Sequence, residues 1–176
     1  PCLKRRLYND YKKYSIYKRD TTTNHEPYEC FMQKWTKEEE PAITKLMHQL
    51  YAEDLGNAPF TDTKAALTFK TLRAHPEKST VMILELDGSL IGYALLIYFW
   101  SNEFGGNLVD IDEFFIKKEH RSKGIGTNFI CWLRDTKFHD AVLLQLEVTP
   151  SNKKALALYK RLGFRTHKNN TLDLLL

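Results

Sequence analysis

The chain is poor in cysteine, with only Cys2, Cys30 and Cys131 among 176 residues and no CxxC pair. An odd number without paired spacing argues against a disulfide framework and for an intracellular chain with reduced thiols. Long apolar runs are missing too. The longest, Leu90 to Trp100, is too short to cross a bilayer, and no charged-then-apolar leader opens the chain. The expectation is therefore a soluble, cytoplasmic protein without a membrane partner. The six histidines are scattered and include no HExxH, so no metal is assigned. Internal repeats and low-complexity tracts are absent. What is present, 43% hydrophobic and 27% charged residues, is the balance of one ordinary domain that buries a core, and excludes a disordered chain.

The net charge of +4 hints at an anionic partner, but it is unevenly placed. Residues 1–28 hold seven bases against three acids, which is the whole excess; the remainder is neutral, with 19 of each. Tyrosines 8, 11, 14 and 17 interleave with these bases, as in segments that stack on single-stranded nucleic acid. Steps of three drift around a helix, however, and Thr21 to Asn24 interrupt the pattern. The segment is read as a basic arm or short accessory helix, and nucleic acid is not favoured as a partner.

Residues 29–176 read as a single α+β domain with a mixed, mostly antiparallel sheet flanked by helices. Tyr28 to Trp35 alternates as a strand. Thr36 and Glu39 form a capping box before a helix reaching about Asp54, and Thr61 or Asp62 caps a second helix carrying Ala65, Ala66, Phe69 and Leu72. Thr80 to Leu86 and Leu90 to Trp100 form a hairpin about Asp87-Gly88. A third strand runs from Leu108 to Ile116. There follow a helix (Gly124 to Phe138), a strand (Val142 to Val148), a helix (Asn152 to Leu162) and a last strand near Thr171 to Leu175.

Two segments carry chemistry. Arg121-Ser122-Lys123-Gly124-Ile125-Gly126 joins a strand to a helix start, where free N–H groups and the helix dipole favour an anion and glycines let a phosphate approach the backbone. It matches neither the P-loop nor the dinucleotide fingerprint. Taken alone it is equally a tight turn. Asn152 to Phe164 is a helix capped by Asn152, with Ala155, Leu158, Tyr159 and Leu162 on one stripe and Gly163-Phe164 as a Schellman stop; a tyrosine on such a stripe is ordinarily core. Together, RxxGxG opening a helix and the later NxxAxxxYxxxGF resemble the acetyl-CoA signature of the GNAT N-acetyltransferase superfamily. The resemblance covers about Tyr28 to Leu176. Gly92-Tyr93-Ala94 and Asp112-Glu113-Phe114-Phe115-Ile116 are most similar to the spermidine/spermine and thialysine acetyltransferase branch.

The resemblance implies a GNAT fold, acetyl-CoA as cosubstrate and transfer of acetyl to an amine. It assigns Phe114, Phe115 and Ile116 to pairing with the pantetheine arm and Ser122, Lys123, Gly124, Ile125, Gly126 and Thr127 to the pyrophosphate, with Arg121 adding charge. Asn152 would lie beside the pantetheine, Tyr159 would protonate the departing thiolate, and the strand Val142 to Val148 would splay from its neighbour to open the slot. Independently, an amine nucleophile must lose a proton, since aliphatic ammonium groups have pKa values near about 10. The strand Leu108 to Ile116 carries Asp110, Asp112 and Glu113. Strict alternation sets Asp110, Asp112 and Phe114 on one face and Ile111, Glu113 and Phe115 on the other. Asp112 is expected to act as the base or to bind the amine, acting through water because the branch it resembles has the longer glutamate there; Glu113 is the alternative. Glu85 and Glu147 are secondary candidates for contacting a cationic substrate, and His120 and His139 flank the cofactor helix.

The leading expectation is an acetyl-CoA-dependent enzyme acting on a small cationic amine, with a homodimer among the assemblies such proteins form. Two rivals stand beside it: a catalytically silent acyl-CoA sensor, and a protein or peptide acetyltransferase that docks through its basic arm.

Overall fold

The computed structural model describes residues 14–17, 29–54, 58–169 and 174. Six strands form one sheet in sequence order: β1 (Tyr14–Tyr17), β2 (Glu29–Lys34), β3 (Ser79–Leu86), β4 (Ser89–Ser101), β5 (Gly106–Ile116) and β6 (Ala141–Leu146). All neighbours are antiparallel except β5 and β6, which are parallel. The helices are α1 (Glu40–Glu53), α2 (Asp62–Ala74), α3 (Ile125–Asp135) and α4 (Lys153–Arg161). This is the mixed, mostly antiparallel α+β architecture expected. No helix among the described residues is long and apolar enough to cross a membrane.

Local signals account for most boundaries. The Thr36 N–H donates to Glu39 Oε2 (2.6 Å), and the box opens a short 3-10 turn that leads into α1. Thr61 Oγ1 accepts from the Lys64 N–H (3.3 Å) at the start of α2. Asp87 (φ 50°) and Gly88 (φ 74°) make the two-residue β3–β4 turn with both residues left-handed. At the end of α4, Phe164 and Gly163 N–H groups bond to the Tyr159 and Lys160 carbonyls (3.0 and 3.1 Å), closing the Schellman stop with Gly163 at φ 99°.

Alternation along the central strands divides two apolar cores. Met82, Leu84, Ala94 and Leu96 pack with Ile125, Phe129 and Leu133 of α3 and with Tyr159 of α4. Val81, Ile83, Tyr93, Leu95 and Phe115 pack with Ile43, Leu46 and Met47 of α1 and with Ala65, Phe69 and Leu72 of α2.

Two expectations change, and a third lies almost wholly outside the described residues. Where a basic arm or short helix was expected, Tyr14–Tyr17 is a strand paired with β2 from Tyr14 against Met32 to Tyr17 against Glu29. The helix expected to reach Phe138 ends at Asp135, because Lys137 turns left-handed (φ 46°) and starts a separate 3-10 turn, Phe138–Asp140. The strand expected at Thr171 to Leu175 falls, apart from Leu174, outside the described residues.

Candidate active site

β5 and β6 stay paired only as far as Ile111 and Leu146. Beyond that point β5 runs on to Ile116 with β4 on one side and no strand on the other among the described residues. A cleft of about 740 Å³ occupies the gap. Its walls are Phe114 to Ile116, the turn into α3, the turn into α4, the inner face of α4 and the end of α1.

The first wall is the glycine-bearing turn. Ser122 (φ 62°) and Gly124 (φ 82°) hold left-handed backbone, which aims the start of α3 into the cleft. The Asn128 N–H reaches the Gly124 carbonyl (2.9 Å), so the N–H groups of Ile125, Gly126 and Thr127 precede the first intrahelical bond. A side chain at Gly126 would begin 3.4 Å from the Phe114 ring and 3.6 Å from a Leu158 methyl, so the glycine keeps that space open. Arg121 lines the cleft with two of its donors engaged: Nε donates to the Ile116 carbonyl (2.6 Å) and Nη1 to Glu53 Oε2 (2.8 Å), with the guanidinium 5.2 Å from the Phe115 ring centroid. Lys123 is exposed and is not one of the cleft residues.

The opposite wall is α4. Asn152 Oδ1 accepts the Ala155 N–H (3.2 Å), capping the helix beside the cleft and leaving the amide nitrogen for other partners. Tyr159 lines the cleft yet is 8% exposed, and burial pushes its phenol up to about 12. Such a phenol stays protonated at neutral pH, ready to donate to a stronger base.

The acids of β5 do not follow strict alternation. Leu95 pairs with Glu113 and Leu96 with Ile111, so Asp112 is the extra residue of a β-bulge. The bulge shifts the phase: Ile111 packs in the α3–α4 core with Phe114 and Ile116, whereas Phe115 packs in the α1–α2 core. Ile111 and Phe115 therefore lie on opposite faces, contrary to the alternation expected.

Glu113 is buried, and both its oxygens are taken, accepting from the Tyr51 hydroxyl at 2.8 Å and the Tyr93 hydroxyl at 2.7 Å. Burial holds its carboxyl above the ordinary range, the two tyrosines partly opposing. Both phenols are raised in turn, by burial first and then by Glu113. Asp112 is exposed at the bulge; crowding by the surrounding protein and then Glu147 raise it. Asp110 is raised to about 6 by burial, Asp112 and Glu147, and its Oδ1 is buried without a partner among the described residues. Glu85 stands on β3 opposite Phe31 of β2, away from the cleft.

Reading by spacing missed the α1 end, where Glu53 and Asp54 enter the cleft wall. One signal was available: two acids in sequence close α1 at the end where the helix dipole disfavours them. His120, expected only to flank the cofactor helix, also lines the cleft, with a buried Nδ1 that has no partner among the described residues.

The acetyltransferase (GNAT) family model matches residues 6–164. An uncharacterised N-acetyltransferase of Methanocaldococcus jannaschii is 35% identical over 88 residues, 49% of this chain and 53% of that protein. Thialysine N-epsilon-acetyltransferase of Sus scrofa is 32% identical over 77 residues, 43% and 45% of the two chains. The matches thus span about half the length of these curated relatives. A possible acetyltransferase from Clostridium difficile 630 shares the fold with a TM-score of 0.72 at 21% identity, over 84% of this chain and 97% of that one. With the family model covering nearly the whole chain, the protein belongs to the GNAT acetyltransferase family.

Proposed function

We propose that the protein is an acetyl-CoA-dependent N-acetyltransferase, acting in the cytoplasm on the primary amine of a small cationic acceptor, polyamine-like or amino-acid-like. The observation that carries the reading is the cleft where β5 and β6 part, which combines a helix start suited to a pyrophosphate, unpaired β5 backbone suited to an amide-bearing arm, and a buried, protonated phenol. Its residues fit acetyl-CoA: Gly126 keeps the α3 start clear, and Phe114, Phe115 and Ile116 have no strand partner on the cleft side among the described residues. When bound, acetyl-CoA supplies a thioester whose carbonyl the amine attacks directly.

Ser122 to Thr127 hold the pyrophosphate with backbone N–H groups and the dipole of α3. The amide of Asn152, its oxygen spent on the cap, steadies the pantetheine arm. Asp112 takes the ammonium proton through water; its exposed bulge position leaves room for the relay, and its raised carboxyl is closer to the amine in proton affinity than an ordinary aspartate. Glu113 serves the site by posture, because its oxygens are committed to Tyr51 and Tyr93. A β5 backbone N–H on the cleft side would stabilise negative charge on the thioester oxygen. Tyr159 gives its proton to the thiolate as the C–S bond breaks and the C–N bond stands complete, so no covalent enzyme intermediate is needed. Asp110, Asp112 and Glu147 together bias the approach toward cations.

Thiol release from acetyl-CoA, measured with polyamines, diamino acids, aminoglycosides and N-terminal peptides, tests the reading. Turnover concentrated on small polycations is expected. Binding of CoA with no thiol release on any amine would mean a sensor, and preference for peptides would mean a protein acetyltransferase.

A further inference from the structure

Glu53 and Asp54 bond to different walls of the cleft. Glu53 Oε2 accepts from Arg121 Nη1 (2.8 Å) and Glu53 Oε1 faces Lys118 Nζ (3.7 Å), both on the glycine-turn side. Asp54 Oδ2 accepts from Thr149 Oγ1 (3.2 Å), just past β6, and Ser151 Oγ bonds to the same hydroxyl (3.1 Å). The Asp54 N–H is fixed to the Leu50 carbonyl (2.8 Å), so the two acids move with the last turn of α1. They span the walls at the point where β5 and β6 no longer share backbone bonds. Arg121 extends this tie inward, since its Nε holds the Ile116 carbonyl at the end of β5.

Stability does not explain the arrangement. The acids sit at the wrong end of the helix dipole, no base stands in the last turn of α1, and half-exposed pairs such as Glu53–Arg121 contribute little to folding. Weak bonds to two separate walls are suited to opening and closing around whatever fills the space between them. α1 and α2 pack together on the face of the sheet that carries Tyr93, and Tyr51 of α1 donates to Glu113 there, so the end of α1 is also tied to β5.

We infer that Glu53 and Asp54 form a strap across the slot, through which acetyl-CoA seated on the glycine turn fixes the end of α1 and so prepares the acceptor side. The strap rests on the acetyl-CoA reading above and adds a coupling to it. Glu53, Asp54 and Thr149 are then positioning residues, and the Arg121 guanidinium acts toward the acceptor side instead of toward the pyrophosphate.

Amide hydrogen exchange on the full chain, with CoA as the probe, tests the strap. In the native protein CoA should slow exchange at residues 122–127 and also at residues 47–54, the latter by about fivefold or more, the lower range of site-to-site coupling. In the Glu53→Ala/Thr149→Val double variant, protection at 122–127 should persist while protection at 47–54 disappears. An unfolding midpoint equal to the native one verifies that the variant is folded; Glu53→Gln alone, with partial loss at 47–54, serves if it is not. Protection of the turn without α1 in the native protein, or undiminished protection of α1 in the variants, overturns the strap alone. No protection anywhere overturns the acetyl-CoA reading and the strap with it.

Discussion

Tyr159 is the residue whose role is most exposed to test. In the proposed reaction it is the acid for the thiolate, so Tyr159→Phe should lower kcat by about 10²-fold, the usual scale for a general acid, with the acetyl-CoA dissociation constant changed less than about twofold. Unchanged kcat would remove it from the chemistry. Asp110 carries a pH signature of its own. Its folded pKa, about 6, lies above its ordinary value of 3.8, so the folded chain keeps that proton longer than the unfolded one. Its contribution to stability is full below the ordinary value and is lost as pH rises through about 6. Asp110→Asn should therefore stabilise the fold by about 1–3 kcal/mol at about pH 8 and hardly at all near about pH 4, read from denaturant midpoints. For Glu113, Glu113→Ala leaves the buried Tyr93 hydroxyl and the part-buried Tyr51 hydroxyl unpaired and should cost about 2–4 kcal/mol in the same measurement. Tyr159 was legible in the sequence from its stripe and motif. The commitment of Glu113 to Tyr51 and Tyr93 was not, because its partners stand 62 and 20 residues away and nothing local marks them.

At the scale of elements, the glycine turn invites a graded test. A Cβ at Gly126 meets Phe114 at ordinary contact distance, so Gly126→Ala should fold and bind nearly normally. Gly126→Leu should fill the space and raise the acetyl-CoA KM by about tenfold or more, equivalent to ~1.4 kcal/mol of lost binding. Turns, caps and helix faces were readable because each is set by neighbours in sequence: Thr36 with Glu39, Asp87 with Gly88, Asn152 with Ala155. The bulge was not, since inserting Asp112 between the Leu95 and Leu96 pairings is a decision of two strands together, and it reverses which face Ile111 shares. The brief strand Tyr14–Tyr17 lay beyond reach for a related reason. Four residues hold too little pattern, and the strand exists through its pairing with β2.

For the molecule as a whole, β1 (Tyr14–Tyr17) stands at the far edge of the sheet from the cleft, separated from β5 by three strands. Deleting residues 1–28 should leave kcat on a small amine within about twofold, while baring the β2 edge should lower solubility, measured by light scattering, as expected of an uncovered edge strand. A large loss of activity would instead favour docking of a macromolecular acceptor through the arm. Nearer the cleft, an anion site is proposed at the start of α3, while Asp110 and Asp112 stand on β5 and Glu147 just past β6, outside the residues that line the cleft. Both serve one claim, direct transfer from thioester to amine in the cleft between the parted strands. A single-turnover experiment with acetyl-labelled acetyl-CoA tests it most directly, using the best amine from the panel and following intact-protein mass alongside the amine. The label should pass to the amine as thiol is released, with the protein mass unchanged throughout; label resting on the protein, or CoA bound with no label transferred to any amine, would contradict it.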